Sequence, residues 1–506
     1  IVDMLREGRP KGLSSRAEKR DLLIVAAIEG DALAVERLLA EGIGPDAEDA
    51  TANTPLILAA AQGHADVVRL LSVRGADVNH RNRAGETALL KASESGHAMV
   101  VGLLLDRGAE PNANDKEKNT PLLLAAVNGF PEIVGLLLDK GANVKTHDGQ
   151  GVDIVAGAFQ TGRADVVKEL LKRGADALVQ EPGTGQTVLD WAVDEGHIDV
   201  VKAFLDNGGN VNVRLKAKRT LLMAAVNKGR GDMVSLLANA GADMNACGDH
   251  QISALGLACR EGSVEIVKML LDGGADTSPC GYGNTPLAEA TLGGHSEVMK
   301  LLLSRGAVVN TAGITPLMMS IANKRPDLAR ILLDHGADPN ALQGTARSSS
   351  ACCAVPPSLP PIPITPPTDE ARTAAPGLDT PLHAAALVGS QAMAELLLKR
   401  GADVNAREPL CGCTPLMSAT AYGETLIVRT LLAMGADPNM RSKDAGRTAL
   451  MEAVRCCRSE VVRLLLDNGA DINIRDYKGL DSLDHSVRCR KTEIVELLKE
   501  KRAEGK

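Results

Sequence analysis

The side chains most suited to binding chemistry lie in one basic run, Arg214-Leu215-Lys216-Ala217-Lys218-Arg219, which is followed by Lys228. Crowded guanidinium and ammonium groups attract carboxylates and phosphates, and arginine can hold either group through two parallel hydrogen bonds. The run therefore predicts a site for an acidic peptide or a phosphate. The alternative, which we favour, is a solvated turn whose charges pair with Asp190, Asp194 and Glu195, which lie earlier in the chain.

Three tyrosines, Tyr282, Tyr422 and Tyr477, form a second candidate group, because the chain has few aromatic residues. Tyrosine joins a large apolar ring to a hydroxyl, and it is enriched among the residues that dominate protein–protein binding energies. A phenol also favours a wet surface without any partner, and this is the competing interpretation. We predict that these tyrosines contact a partner protein, and the basic run is the other candidate contact.

The ten cysteines and ten histidines show no recognisable catalytic or metal-binding pattern. Cys411 and Cys413 are close in sequence, but no C-x-x-C motif occurs, and a tetrahedral zinc site needs converging ligands. We interpret the cysteines as free thiols in a reducing compartment. No glycine-rich phosphate loop, nucleophile elbow or paired-carboxylate motif is evident. We therefore expect that the chain is not an enzyme and that it uses no cofactor or metal.

Composition limits the class of protein further. The chain has 506 residues and a net charge of −8, which argues against nucleic-acid binding by the protein as a whole. A local nucleic-acid site at residues 214–230 is a weaker option. No apolar run approaches the roughly 20 residues that span a bilayer, and no secretory signal is recognisable. We expect a cytoplasmic protein, with the nucleus as an alternative, and the initial Ile1 suggests an excerpt of a longer product.

The elements that position these side chains follow from a repeat of about 33 residues. Thr-Pro-Leu occurs six times, and Gly-Ala-Asp or a close variant typically follows about 21 residues later. Thr54 suits a helix N-cap and Pro55 the first helical position. Gly63 suits the left-handed residue after this helix, and Val67–Leu71 show the apolar spacing of a second helix. Such short helices are marginal alone, so each pair must bury its apolar face on the next pair.

This pattern resembles the ankyrin-repeat family. The fullest match is Thr380-Pro381-Leu382-His383-Ala384-Ala385, followed by Gly401-Ala402-Asp403-Val404-Asn405. The resemblance implies an all-α repeat fold, an ankyrin-type α-solenoid of helix-turn-helix units joined by extended turns or hairpins. Fourteen repeats fit the register, and their residues at the Thr position are Asp21, Thr54, Thr87, Thr120, Asp153, Thr187, Thr220, Ser253, Thr285, Thr315, Thr380, Thr414, Thr448 and Asp481.

The register also predicts domain boundaries. Eight prolines lie between positions 356 and 376, so we expect an extended, disordered insert there. We predict that the repeats after the insert stack directly on repeat ten, with the insert looping out at the turns. The predicted segments are an N-terminal segment or upstream repeat tail at 1–20, repeats one to ten at 21–341, the insert at 342–378, repeats eleven to fourteen at 379–500 and a tail at 501–506.

The resemblance implies a non-catalytic scaffold for protein–protein interactions. In this family, partners dock on the turn tips before the Thr position and on the concave surface of the first helices. Tyr282, Tyr477 and the basic run fall on turn tips, whereas Tyr422 and Lys228 fall on first helices. The alternative is a regulatory or targeting arm of a larger enzyme or membrane protein. We expect protein partners of unknown identity and a monomeric array.

Overall fold

The computed structural model of the chain describes residues 15–145, 153–180, 185–215, 218–281, 284–311, 315–345, 377–487 and 492–504. Within these ranges the chain is a succession of paired short helices joined by extended turns. A single two-stranded sheet interrupts this pattern in the described residues. The predicted all-α repeat fold is therefore confirmed.

Repeat two shows why the helices form where they do. The hydroxyl of Thr54 accepts a hydrogen bond from the N–H of Ile57 at 3.4 Å, and Pro55 begins the helix. Gly63 ends it with a φ of 79°, a left-handed conformation that glycine adopts without steric cost. The residue at the Thr position caps the first helix in the same way from repeat two to repeat fourteen.

Each repeat contributes a first helix and a second helix, and the two are usually separated by a glycine and one further residue. In chain order the pairs are Arg16–Glu29 with Ala32–Ala40, Pro55–Gln62 with Ala65–Val73, Ala88–Ser95 with Ala98–Asp106, Pro121–Asn128 with Pro131–Asp139, Ile154–Gln160 with Ala164–Lys172, Val188–Glu195 with Ile198–Asp206, Leu221–Asn227 with Gly231–Asn239, Ala254–Glu261 with Val264–Asp272, Pro286–Gly293 with Ser296–Ser304, Pro316–Ala322 with Pro326–Asp334, Pro381–Val388 with Gln391–Lys399, Pro415–Tyr422 with Thr425–Ala433, Ala449–Arg455 with Ser459–Asp467, and Ser482–Ser486 with Thr492–Glu504.

The core consists of apolar side chains that neighbouring repeats share. In repeat two, Leu56, Ala59 and Ala60 on the first helix are fully buried, as are Val68 and Leu71 on the second. Burying a valine or leucine side chain contributes about 1.5–3 kcal/mol, whereas an isolated helix of this length is marginal in water. Stacking therefore stabilises helices that could not form alone.

The chain divides into two compact units, Ile1–Ala242 and Asp243–Lys506. The first unit contains repeats one to seven and the second contains repeats eight to fourteen. Within each unit, neighbouring repeats pack first helix on first helix and second helix on second helix.

The described ends of the array differ from the predicted boundaries. The helix of repeat one begins at Arg16, where Ser15 and Glu18 form a capping box with hydrogen bonds of 3.2 and 3.3 Å. Asp21, at the Thr position, therefore lies inside this helix instead of capping it. At the other end, the second helix of repeat fourteen continues to Glu504, so residues 501–504 are helical.

The described ends of the insert form a short antiparallel ribbon. Gln343–Thr345 pairs with Gly377–Asp379, with Gly344 opposite Leu378. Both ends of the segment that we expected to be disordered are therefore strands. Residues 346–376 lie outside the described residues, and the expectation for them stays a prediction.

Repeats ten and eleven are joined by the hydrogen bonds that also join contiguous repeats. The side chain of Asn340 donates to the carbonyl oxygen of Gly401 at 3.0 Å and accepts from the N–H of Asp403 at 2.8 Å. Asn439 of repeat twelve makes the same two bonds with Gly469 and Asp471 of repeat thirteen, at 3.0 and 2.8 Å. Residues on either side of the insert are thus direct neighbours in space.

Candidate interaction surfaces

The structure pairs the basic run of repeat seven with acidic side chains of repeat six. Arg219 lies 3.1 Å from the carboxylate of Asp190, and Lys228 lies 3.4 Å from that of Asp194. Asp190 is only 3 % exposed, and a buried carboxylate without its cation is strongly destabilising. Both cations therefore compensate acids of their own molecule, as the alternative interpretation of the run predicts.

The rest of the run forms the turn itself. Arg214 Nη1 donates to the carbonyl oxygen of Lys218 at 2.8 Å, and the backbone of Arg214 bridges to Thr220. Both cations are exposed, and Lys218 adopts a φ of 51°, which is uncommon for a residue with a side chain. Lys216 lies outside the described residues. Arg214 and Lys218 thus remain on the surface, as the predicted contact requires.

Two of the three tyrosines lie in the described ranges. Tyr477 is 62 % exposed in the turn before repeat fourteen, and the guanidinium of Arg441 lies 5.0 Å from the centre of its ring. Tyr422 is the last residue of a first helix and is half-buried. Tyr282 lies outside the described residues. Of the two described tyrosines, Tyr477 is better placed to contact a partner.

The turns before repeats twelve to fourteen carry a row of exposed cations that the sequence predictions missed. Arg407, Arg441 and Arg475 each stand six residues after the glycine that follows a second helix, and all three are exposed. Their regular spacing of 34 positions is the signal that could have revealed them. Further exposed side chains lie in the same turns. The basic turn row is defined here as Arg407, Arg441, Lys443, Arg475, Tyr477 and Lys478.

A surface groove of 510 Å³ lies between the turns and first helices of repeats two and three. Turn residues such as Asn53 and Asn82 supply polar groups, and first-helix residues such as Leu58 supply apolar surface. Lys91 also lines the groove, and its ammonium lies 2.6 Å from Glu94. Burial lowers the pKa of Lys91, but the hydrogen bond to Glu94 and neighbouring carboxylates raise it overall. The groove therefore offers mixed polar and apolar contacts beside one protonated lysine.

The interpretation of the cysteines as free thiols is wrong for Cys247, Cys280 and Cys457, which are disulfide-bonded. Cys247 and Cys280 are joined by a disulfide, and their Cα atoms are 5.8 Å apart. They occupy equivalent positions in successive turns, which approach more closely than packed helices at about 8–10 Å. Burial, with Glu289 nearby, raises the pKa of the free Cys259 thiol, so this group stays protonated and unreactive. The argument from cysteine usage to a reducing compartment therefore loses its basis.

Several histidines join neighbouring repeats. His64 Nε2 lies 2.8 Å from the carbonyl oxygen of Ile28 in the preceding repeat. His383 is buried, with Nδ1 2.8 Å from the hydroxyl of Thr380 and Nε2 3.0 Å from the carbonyl oxygen of Cys413. These rings hold backbone and cap groups in place.

No group of three or more His, Cys, Asp or Glu side chains in the described residues gathers in a way that could hold a metal ion. None of the helices described is both long and apolar enough to cross a membrane.

Comparison with known proteins places this architecture in a family. The family described as "Ankyrin repeats (3 copies)" matches in overlapping segments from residue 2 to residue 343, and again at 369–442 and 441–506. The human protein "Ankyrin repeat and KH domain-containing protein 1" is 34 % identical over 127 residues, which are 24 % of this chain. The chain spans only 4 % of that human protein. Because the family matches cover far more than half of its length, the chain belongs to the ankyrin-repeat family.

Proposed function

We propose that this protein is a non-catalytic scaffold that binds segments of partner proteins on its turn tips and on the concave face of its first helices. Ankyrin repeats are generally protein–protein interaction modules, and the family match covers nearly the whole chain. The eight contact residues that the sequence predicts are part of this proposal. They are Tyr282, Tyr422, Tyr477, Arg214, Lys216, Lys218, Arg219 and Lys228.

The observation that carries the proposal is a contrast between two sets of positions in the repeat. The capping position is Thr, Ser or Asp from repeat two onward and is engaged inside the protein. The residue type varies at the position six residues after the glycine that follows each second helix. Examples are Glu48, Arg81, Gln180 and Arg407. Fixed internal positions and varied turn tips are what a common scaffold with specific recognition needs, since recognition depends on a few surface side chains.

A second candidate is that the array is a regulatory or targeting arm of a larger protein. The human relative favours it, because that protein carries a KH domain by its name and the aligned part is 4 % of its length. The full open reading frame decides between the two: further domains in the same frame support the arm, and their absence removes it.

Affinity capture with mass spectrometry tests the scaffold function and the basic run together. We expect the wild-type chain to retain specific partners, and we expect charge reversal by R214E/K216E/K218E to reduce a partner that docks on this turn. Arg219 stays unchanged because it compensates the buried Asp190. The matched control is R69E/R107E/K202E, which reverses three exposed cations on and beside second helices of the same unit.

The outcomes separate the two claims. Loss of a partner in the turn variant alone, with unchanged thermal unfolding, supports both the scaffold and the chosen turn. Equal capture by wild type and the turn variant rejects this turn as the contact. A wild-type chain that captures no partner above a bead control contradicts the scaffold function itself.

A further inference from the structure

We infer that the basic turn row binds an acidic, extended segment of a partner protein. This inference rests on the proposed scaffold function and names the chemistry of one partner. Five cations and one tyrosine form the row: Arg407, Arg441, Lys443, Arg475, Tyr477 and Lys478.

The arginines of the row retain charge that the protein leaves largely uncompensated. Arg407 Nη1 donates to the carbonyl oxygen of Arg441 at 2.9 Å, and Arg441 Nε donates to that of Gly446 at 3.1 Å. Arg475 Nη1 donates to the carbonyl oxygen of Gly479 at 2.6 Å. These partners are neutral, so they orient each guanidinium without cancelling its charge.

One carboxylate does approach the row. Arg475 Nη2 lies 3.9 Å from the carboxylate of Asp481, which is buried and closer to Arg502, at 2.9 Å. Because Arg502 already serves this carboxylate at hydrogen-bond distance, Arg475 contributes only a long contact. In repeat seven, by contrast, Arg219 lies 3.1 Å from a buried acid. The basic turn row is therefore more available for an external anion than the run that the sequence singles out.

Few exposed acids accompany these cations at the turn tips, which are residues 407–413, 441–447 and 475–480. Asp444 is exposed in the middle turn, but its carboxylate accepts the N–H of Ala445 at 2.7 Å. Glu408 and Asp476 are buried, at 1 % and 5 % exposure. The exposed surface of these turn tips is thus basic, although the whole chain carries a net charge of −8. Asp403, Asp437 and Asp471 are exposed four residues before the three arginines, where each accepts the backbone N–H two residues later. Such a local reversal of sign attracts an acidic ligand and orients it on approach.

Backbone hydrogen bonds hold successive turns side by side. The N–H of Lys443 donates to the carbonyl oxygen of Cys411 at 2.6 Å, and the N–H of Tyr477 donates to that of Ala445 at 3.0 Å. Repeats stack about 8–10 Å apart, and an extended peptide advances about 3.3 Å per residue. A bound segment that runs along the row would therefore present an acid about every third residue to successive turns.

Side chains of the row pack against the backbones of two glycines, which hold them in place without a ligand. A Cβ on Gly446 would lie 2.7 Å from the Tyr477 ring and 2.8 Å from Arg441 Nη2, so both side chains rest on its backbone. A Cβ on Gly412 would lie 2.5 Å from the Lys443 side chain. Side chains already held in place lose less conformational entropy on binding, which favours affinity. The Tyr477 ring, which lies beneath Arg441 and is largely exposed, supplies apolar area next to the charges.

A peptide fits this surface better than a nucleic acid does. A nucleic acid brings a dense line of phosphates, which the net charge of the chain repels away from the row. Single-stranded nucleic acid also needs aromatic side chains for successive bases, and the row has one tyrosine. Carboxylates spaced along an extended peptide match the separated arginines.

The test is fluorescence polarisation with the full 506-residue chain. The probe is a fluorescein-labelled peptide with glutamate at every third position among serine and leucine, and the comparison probe has glutamine instead. We expect the glutamate peptide to bind at least about tenfold more tightly than the glutamine peptide. We expect R407E/R441E/R475E to weaken its binding at least about tenfold, because arginine is often a dominant interface residue.

The matched control is K268E/R330E/R429E, which reverses three exposed cations on second helices of the same unit. It changes the net charge by the same amount as R407E/R441E/R475E. It should change the affinity less than about twofold, since distant exposed charges are screened. Thermal unfolding checks each variant, and R407Q/R475Q replaces the triple variant if that one does not fold. Tyr477→Ala should weaken binding without any change of charge.

Three results would overturn the inference. One is equal affinity for the glutamate and glutamine peptides, and another is equal loss in the row variant and the control variant. The third is tighter binding of a single-stranded oligonucleotide than of the glutamate peptide, which would assign the row to nucleic acid. If affinity capture finds partners that bind wild type and R407E/R441E/R475E equally, the scaffold function stands and only this inference falls.

Discussion

At the scale of the residue, one turn carboxylate shows how the extended turns are held. Asp476 accepts hydrogen bonds from the N–H groups of Lys478 at 2.8 Å and Leu480 at 3.0 Å, and His485 Nε2 lies 2.9 Å away. Asp49 accepts backbone N–H groups two and four residues later in the same manner. Burial raises the pKa of Asp476, but the hydrogen bonds from Leu480, His485 and Lys478 outweigh it and lower the pKa overall.

We expect Asp476→Ala to lower the free energy of unfolding by about 1–3 kcal/mol, because two partly buried hydrogen bonds from backbone N–H groups lose their acceptor. Asp476→Asn keeps an oxygen at this position and is the control, with a smaller expected loss. Urea titration followed by circular dichroism measures both. Equal losses in the two variants would show that the backbone hydrogen bonds are not the cause.

The same carboxylate predicts a dependence of stability on pH. Its pKa is lower in the folded than in the unfolded protein, so the ionised form stabilises the fold above about pH 4. This contribution is lost as the pH falls through the folded pKa. The free energy of unfolding of Asp476→Asn should therefore decline less steeply below about pH 4 than that of wild type. Parallel pH profiles would contradict the assignment.

At the scale of the element, a covalent link joins the turns before repeats eight and nine. The Cys247–Cys280 disulfide spans a sequence separation of 33 residues. Cys247 is exposed and Cys280 is buried. Closing a loop of this length removes conformational freedom from the unfolded chain, and this stabilises the fold.

We expect the free energy of unfolding of the double variant Cys247→Ser/Cys280→Ser to be about 3–4 kcal/mol lower than that of oxidised wild type, from the entropy of loop closure. A reductant should lower the unfolding midpoint of wild type more than that of the double variant, which keeps the disulfide of Cys457. Peptide mapping under non-reducing conditions checks the link directly. Recovery of both cysteines as alkylated free thiols would contradict it.

At the scale of the whole molecule, the insert raises the question of how its flanking repeats are organised. We propose that repeats eight to fourteen form one stack from which residues 346–376 depart. Support comes from the bonds of Asn340 to repeat eleven and from the ion pair between Asp334 and Arg400. The strand pairing of Thr345 with Gly377 also brings the two ends of the insert together.

We therefore expect replacement of residues 346–376 by Asn-Gly to change the free energy of unfolding by less than about 1 kcal/mol. Asn-Gly favours the two-residue turn that closes an antiparallel ribbon, and long loops add only modest closure entropy. Asn340→Ala in the shortened chain is the contrasting variant and should destabilise it further. A large loss of stability on shortening, or a new unfolding step, would show that the insert supports the fold.

The amino-acid sequence by itself determined the repeat period, the capping residues and the paired short helices. These depend on local chemistry, such as the hydroxyl of Thr54 and the glycine at position 63, which acts within a few residues. Even so, the start of repeat one lies at Arg16 and not at Asp21, because the Ser15–Glu18 capping box extends the helix.

Only the tertiary structure decided which surface charges are available and which cysteines meet. Arg219 and Arg441 are both arginines of turn tips, yet the first faces a buried carboxylate of the preceding repeat and the second faces a carbonyl oxygen and a tyrosine ring. Likewise, Cys247 meets Cys280 because stacking brings equivalent turn positions to within 5.8 Å. The physical reason is that pairing of charges and thiols depends on distances between repeats, which no local sequence pattern encodes.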